Sequence, residues 1–472
     1  MVGITSYGAY IPLYRMSRGE IAQAWGGSPD MRGEKAVANY DEDSVTMAVA
    51  ACMDCIRDIS PKSIDSLYFA STSFPYREKQ SAAIVATAID TDKTTFTLDL
   101  SNSLRCGTSG ISIAMDAIKA RTAKNALVCA SEVRLGLPKG VNETDFGDGA
   151  AALLLGDADI IASIDGIYHV SDEILDLWRS NEDRFVRSWE DRFTREQGYT
   201  RVVTEAVFSA LKKYGLTAKD ISKAVLYAPN RRMLASIAAT LGFDPKTQIQ
   251  DSLYDTVGNT GCTLSFMMLI AALEQAKAGD RIMWASYGDG CDVYFITVTE
   301  GISKVSNVRG IKRHLASKKH LRYHKYLQWR GIIATEPPAR PPLEAPSAVA
   351  LWRDSKGGLA LYGGKCKKCG TPQYPAQRVC IVCGAKDEFE DYRFAQRKGV
   401  LTTFSQDNLA ASIDPPSTIS VVDFVDGGRI MCDMTDRDPD QVRVGMPVEM
   451  TFRKMRFTGG IHNYWWKCQP VR

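Results

Sequence analysis

Four cysteines carry the plainest chemistry in this 472-residue chain. Cys366-Lys367-Lys368-Cys369 and Cys380-Ile381-Val382-Cys383 are two Cys-x2-Cys knuckles ten residues apart, each with a glycine, Gly370 or Gly384, just past its second cysteine. Four thiolates at this spacing close a tetrahedral Zn²⁺ site and leave no position for water, so the implied metal is structural. Cys366, Cys369, Cys380 and Cys383 are its expected ligands. Cys52-Met53-Asp54-Cys55 is a single knuckle inside an amphipathic helical pattern and reads as core packing.

Composition bounds what the rest can be. The chain has 45% hydrophobic and 24% charged residues, and no apolar run approaches the roughly 18 residues of a membrane span. The start, Met1-Val2-Gly3-Ile4-Thr5-Ser6-Tyr7, lacks a secretory pattern and runs into a strand-like one, so a cytoplasmic protein is expected. Twelve cysteines then mean thiols and metal ligands rather than a disulfide framework. A net charge of +3 gives no strong polyanion field, and neither nucleic acid nor membrane is an expected partner.

Up to about residue 300, short β-rich runs such as Ser66-Leu67-Tyr68-Phe69-Ala70 alternate with longer helical stretches, the pattern of a layered α/β domain. A repeat is visible within it. Phe146-Gly147-Asp148-Gly149 and Tyr287-Gly288-Asp289-Gly290 each lead into an apolar strand, and each follows a small-residue-rich helix and a strand. Two related halves are implied, 1–165 and 166–330. The second closes on a basic stretch from Ser303 to Arg330 that reads as a solvated helical face. A stiff proline-rich linker follows at 331–347, with Glu336-Pro337-Pro338 at its centre, then the zinc ribbon at 348–390. Residues 391–472 give several strands separated by turns such as Asp426-Gly427-Gly428, which fits a small five-stranded OB-type barrel. Its many aspartates, Asp414, Asp423, Asp433 and Asp436 among them, speak against a groove that tracks phosphates.

Several segments of the first 330 residues resemble the 3-hydroxy-3-methylglutaryl-CoA synthase branch of the thiolase superfamily. They are Ser71 to Tyr76, Asp99 to Thr108, Asp145 to Leu155, Leu177-Trp178-Arg179, Ala228-Pro229-Asn230, Gly258-Asn259-Thr260 and Ser286 to Gly290. The ribbon and barrel are similar to the rubredoxin-like zinc-ribbon and OB-fold domain that accompanies thiolase-like enzymes and helps them hold acyl-CoA. The resemblance implies a five-layered α/β fold of two duplicated halves, a homodimer, and an acyl-CoA substrate whose pantetheine arm lies in a tunnel. Which residues contact coenzyme A is not implied.

The catalytic positions depart from that pattern. The family's nucleophilic cysteine falls at Leu104, its acidic general acid/base at Thr72 and its histidine at Tyr227. Cys106 stands two residues past Leu104 in Cys106-Gly107-Thr108-Ser109-Gly110, where a helix N-terminus would favour its thiolate. Asn259 has an amide able to polarise a thioester carbonyl, and Tyr227 still has a proton to move. Tyr199 and Tyr254 are weaker candidates. Cys106, Tyr227 and Asn259 are therefore the expected catalytic residues. With cysteine, glutamate and histidine all displaced, the expectation is an aldol or retro-aldol reaction of a β-hydroxyacyl-CoA through a stabilised enolate. A Claisen-type or synthase-like condensation using Cys106 is the alternative, and a catalytically silent acyl-CoA-binding scaffold is a third.

Overall fold

The computed structural model describes residues 1–305, 307–336 and 346–472. The chain divides into two compact units, one of Met1–Ala38, Asp43–Ala86 and Thr91–Tyr323, the other of Asn39–Glu42, Thr87–Asp90 and His324–Arg472. Residues 337–345 of the expected linker lie outside the described residues. Among those described, no helix is long and apolar enough to cross a membrane.

In the first unit the sequence repeat reappears as a pairing pattern within one nine-stranded sheet. Gly3–Tyr10, Gly149–Gly156, Ala126–Glu132, Ser66–Ala70 and Phe96–Leu100 lie side by side, joined by two antiparallel and then two parallel pairings. On the other side the order is Ala162–Ser171, Gly290–Val298, Arg281–Tyr287 and Lys223–Leu226, with antiparallel, antiparallel and parallel pairings in the same succession. Ile249, bridged in parallel to Ala224, stands where a fifth strand would run. The halves meet where Gly3 and Ile4 pair with Ser163 and Ala162. Each Gly-Asp-Gly turn thus feeds the strand that pairs with the first strand of its own half.

Burial explains why these segments read as they do. Every residue of Ala126–Glu132 and Gly149–Gly156 is buried, which is why they are continuous apolar runs rather than alternating ones. The helix Leu264–Leu273 buries all of its residues and has no polar face, as befits a helix packed on every side. Ser44–Cys55 opens with a capping box in which Asp43 accepts from the Thr46 N–H at 3.0 Å. Its Cys52 and Cys55 are buried, and burial pushes both thiols well above their ordinary pKa, as core thiols should be. The basic stretch is not a solvated face throughout. His314, Tyr323, Tyr326 and Trp329 are buried, because aromatic rings gain more from burial than from water.

In the second unit, Tyr362–Cys366, Pro372–Gln373 and Phe389–Arg393 form a small antiparallel sheet. A five-stranded sheet follows in the order Arg429–Asp433, Ser417–Phe424, Gly399–Asp407, Pro447–Thr458, Ile461–Pro470. A bridge between Met434 and Cys468 joins its two ends into a barrel.

Candidate functional site

The ends of the parallel strands in the first unit bring chemistry together. Thr72 follows Ser66–Ala70, the turn Ser101–Arg105 follows Phe96–Leu100, Glu132 ends Ala126–Glu132, and Tyr227 follows Lys223–Leu226. Residues at the C-terminal edge of parallel strands need no strand pairing of their own, so their side chains can serve a site.

The turn after Leu100 leads into the helix Cys106–Lys119. Its residues are tied to the carbonyl of Gly288, which accepts from Ser103 Oγ at 3.0 Å and from Arg105 Nε at 2.8 Å. Arg105 also pairs with the buried Asp292 at 3.0 Å, and Thr108 Oγ1 donates to the same carboxylate at 2.6 Å. Only glycine fits at 288, since a Cβ there would stand 2.8 Å from the Leu104 nitrogen. Cys106 is the first helical residue and is 4% exposed, with its N–H bonded to the Ser103 carbonyl at 3.1 Å. It therefore lies in the positive field of the helix N-terminus.

Tyr227 and Asn259, far apart in sequence, are brought together. Asn259 sits between two left-handed glycines, Gly258 and Gly261, and its backbone N–H donates to the Asp145 carbonyl at 2.7 Å. Its side-chain amide donates to the Tyr227 hydroxyl and to the Pro229 carbonyl, each at 3.2 Å, and its Oδ1 accepts from the Gly261 N–H at 2.9 Å. Burial raises the Tyr227 pKa above its usual value, outweighing the nearby Arg134 and the Asn259 hydrogen bond that pull it down. The group is a proton donor and not a base at neutral pH. Tyr199 donates its hydroxyl to the Tyr227 carbonyl at 2.8 Å, and Tyr254 donates to Asp145, so both weaker candidates are committed elsewhere.

Glu132 is the residue that sequence reasoning missed. Fully buried, its carboxylate accepts from the Thr72 N–H at 2.9 Å, from Thr72 Oγ1 at 2.9 Å and from Ser73 Oγ at 2.8 Å. A carboxylate therefore stands directly behind Thr72, the residue at which the resemblance led one to expect an acid. Cys262 lies between the groups: burial, then the Cys106 thiol and the Glu132 carboxylate beside it, raise its own pKa well above the usual thiol value. The signal available in the sequence was an acidic residue ending the apolar run Ala126 to Ser131.

A cavity of about 140 Å³ opens beside this cluster, walled by Thr72, Leu104, Arg134, Asp176, Arg179 and Tyr287 among others. Cys106, Tyr227 and Asn259 are not part of its wall. Asp176 accepts from the Tyr287 hydroxyl at 2.6 Å, and burial raises its pKa above the ordinary carboxylate value.

In the second unit the four knuckle cysteines converge, with all four Sγ atoms within 4.8 Å of one another. Cys366 and Cys383 are 3.7 Å apart and Cys369 and Cys380 are 3.5 Å apart. Gly370 and Gly384 take positive φ, 75° and 70°, which the tight turns past each second cysteine require. Four thiols and no oxygen donor fit Zn²⁺ in a closed structural site. This segment, residues 359–390, matches the family described as ChsH2, rubredoxin-like zinc ribbon domain, and residues 392–453 match ChsH2, C-terminal OB-fold domain.

The duplicated sheet, the buried central helix and the turn-to-helix site of the first unit define an enzyme of the thiolase superfamily, with the five-layered duplicated α/β fold. Residues 211–298 match the family described as 3-oxoacyl-[acyl-carrier-protein (ACP)] synthase III C terminal. The chain belongs to the hydroxymethylglutaryl-CoA synthase family. It is 33% identical over 344 residues to the hydroxymethylglutaryl-CoA synthase of Methanocaldococcus jannaschii, covering 71% of this chain and 99% of that one. The corresponding protein of Methanococcus vannielii is 34% identical over 345 residues, with 70% and 99% covered. A solved structure described as MvaS in complex with 3-hydroxy-3-methylglutaryl coenzyme A shares the fold, with a TM-score of 0.64, 21% identity, and 72% and 94% of the two chains covered. The 3-oxoacyl-[acyl-carrier-protein] synthase III of Aquifex aeolicus also does, with a TM-score of 0.56, 20% identity, and 63% and 100% covered. Relatives named as synthases fit the condensation alternative better than the aldol chemistry expected from the three substitutions.

Proposed function

We propose that the chain catalyses a synthase-like condensation at the α carbon of a coenzyme A thioester, with Cys106 as the nucleophile. The observation that supports this most is family membership over nearly the full length of the relatives, joined to a thiol at the start of the helix Cys106–Lys119. In this reading Cys106 Sγ attacks the thioester carbonyl, the bond to coenzyme A breaks, and the departing thiol takes the proton that Cys106 gives up. Glu132, acting through the Thr72 hydroxyl, receives the α proton: Thr72 Oγ1 takes it from carbon while passing its own proton to the carboxylate. The resulting enolate adds to a second carbonyl, whose oxygen is protonated by Tyr227, itself held by Asn259, and water then cleaves the thioester bond to Cys106, releasing the product as a carboxylate and returning the thiol. Acyl-CoA is thus the substrate, and the protein works as a cytoplasmic homodimer with zinc in a purely structural role.

One observation favours a second reading. Leu104, not Cys106, stands on the cavity wall. A non-covalent aldol or retro-aldol reaction would need only the enolate site, the Glu132–Thr72 relay and the Tyr227 proton.

Mass spectrometry after incubation with acyl-CoA and β-hydroxyacyl-CoA esters decides between them. An acyl adduct on Cys106, lost in Cys106→Ala, is the expected result. Release of an aldehyde or ketone with no adduct selects the aldolase. Binding of esters with neither outcome would leave the silent scaffold.

A further inference from the structure

Arg134 is 4% exposed, and its Nε and Nη1 atoms are buried with no hydrogen-bond partner. Its guanidinium lies over the Phe146 ring, 4.1 Å from the centroid, which fixes the group but satisfies none of its N–H donors. The fully buried Glu132 is close at hand, since a Cβ built on Gly261 would stand 2.8 Å from Arg134 Cδ and 3.3 Å from Glu132 Cγ. Neither of the two open nitrogens is completed by it, and its carboxylate accepts from Thr72 and Ser73 instead. Arg179, the other guanidinium on the cavity wall, is exposed and donates to the Thr72 carbonyl. A buried guanidinium with open donors is costly, and native proteins rarely keep one without a use for it.

We infer that Arg134 is a catalytic residue, holding the negative charge that develops on the thioester oxygen as the α proton leaves. The inference rests on the enolate reading above, which the condensation and the aldol reaction share. In that step the C–H bond breaks, its electron pair forms the C=C bond, and the carbonyl π pair moves onto oxygen. The proton passes to Thr72 Oγ1 and the Thr72 proton to Glu132. One negative charge thus disappears from a carboxylate and reappears on the substrate. An arginine hydrogen-bonded to Glu132 would stabilise that charge before the step and so oppose it, whereas one with open donors stabilises it as it arrives. Arg134 lines the cavity that Thr72 also lines, so an ester whose α carbon meets Thr72 Oγ1 presents its oxygen to the same small space. The guanidinium also lies near the second oxygen of the reaction: burial raises the Tyr227 pKa, and the Arg134 charge is what most opposes that rise.

The test is exchange of α protons for deuterium in D2O by the full-length protein, with acetyl-CoA and propionyl-CoA as probes. Mass spectrometry reads the label both in the ester and in any acyl adduct on Cys106, so no acceptor need be known. Arg134→Met should slow exchange by about 10²-fold, the scale for losing one oxyanion donor. Its affinity for the same esters and for coenzyme A should stay within about threefold of wild type, because the charge exists only after the proton has moved. Arg134→Lys should keep part of the exchange, and added guanidinium ion should restore part of it to Arg134→Ala, which a merely structural arginine would not allow. Exchange by Arg134→Met at the wild-type rate overturns the inference and leaves the enolate reading standing. So does a variant that loses affinity for coenzyme A in step with exchange, since the guanidinium would then hold a phosphate. If Arg134→Met fails to fold, the Arg134→Lys rate decides, and exchange at the wild-type rate with guanidinium-insensitive Arg134→Ala counts against the role. A wild type that binds both esters but neither exchanges their α protons nor forms an adduct removes the enolate reading, and the role of Arg134 with it.

Discussion

The Asn259 side-chain amide donates to the Tyr227 hydroxyl at 3.2 Å, across 32 residues of sequence, and that direction decides what Tyr227 can do. An oxygen that accepts from Asn259 keeps its own O–H free to donate, and burial holds its pKa above 10. Tyr227 therefore stays protonated throughout the range in which an enzyme of this kind is assayed. Tyr227→Phe should lower turnover by about 10²-fold, the usual scale for losing a general acid. Any alkaline limb of the pH–rate profile below pH 10 should persist in the variant, because it cannot arise from Tyr227. A limb that vanishes with the hydroxyl would mean that Tyr227 ionises and acts as a base after all.

Glu132 and Thr72 are expected to act as one device. Thr72 Oγ1 lies 2.9 Å from one carboxylate oxygen of Glu132 and 3.1 Å from the other, so neither group can relay a proton without its partner. Glu132→Gln and Thr72→Val should each lower kcat by about 10²-fold, and the double variant should be no worse than the poorer single. Losses that multiply would show two independent contributions and sink the relay. Unchanged thermal unfolding of each variant is the control for folding.

What could be read in advance follows from the range of the interactions. The zinc quartet was legible because its ligands sit in two short knuckles whose spacing alone sets the geometry. The duplication was legible because Gly149–Gly156 and Gly290–Val298 are wholly or nearly wholly buried, so each must be an apolar run behind the same turn. Glu132 was hard to read, since its meaning comes from Thr72, 60 residues away just past a neighbouring strand, and the only local mark is its place at the end of an apolar run. Arg134 was silent for a related reason. A lone arginine after a strand says nothing until burial has removed its water and no carboxylate has replaced it. The substitutions at Leu104, Thr72 and Tyr227 pointed toward aldol chemistry, and it is the relatives named as synthases, not any group in the site, that fit a condensation better.

For the zinc ribbon the expectation is one Zn²⁺ per chain, held by Cys366, Cys369, Cys380 and Cys383. Metal analysis of a Cys366→Ser, Cys380→Ser double variant should show none. Hydrogen exchange across Tyr362–Arg393 should accelerate, because the three short strands there have little apolar core beyond Cys366, Cys380 and Ala385. Full zinc content in that variant would require a different ligand set.

The last prediction concerns charge buried in the second unit. Arg453, 1% exposed, is paired to Asp41 at 3.3 Å, Glu42 at 2.6 Å and Asp436 at 2.7 Å, and Lys467 pairs with Asp41 at 3.0 Å. Burial alone would raise the Asp41 pKa, but Lys467 and Arg453 outweigh it and hold it below the ordinary carboxylate value. Lys467 is shifted the other way: Asp41 raises it against the opposing effect of burial. The signs fix the pH window. A depressed Asp41 contributes stability that is present above its unfolded pKa of about 3.9 and lost as pH falls through the folded value. A raised Lys467 contributes stability that is present below about 10.4 and lost as pH rises through its folded value. Arg453→Met removes the hub and leaves three buried carboxylates short of a partner, so at pH 7 it should cost about 3–5 kcal/mol. Hydrogen exchange of the strand Pro447–Thr458 measures this without assuming that the whole chain unfolds in one step. Below pH 4 the penalty should shrink as Asp41 takes up its proton, whereas a penalty that is flat from pH 7 to pH 3 would show that packing of the arginine stem, and not its charge, is what the barrel loses.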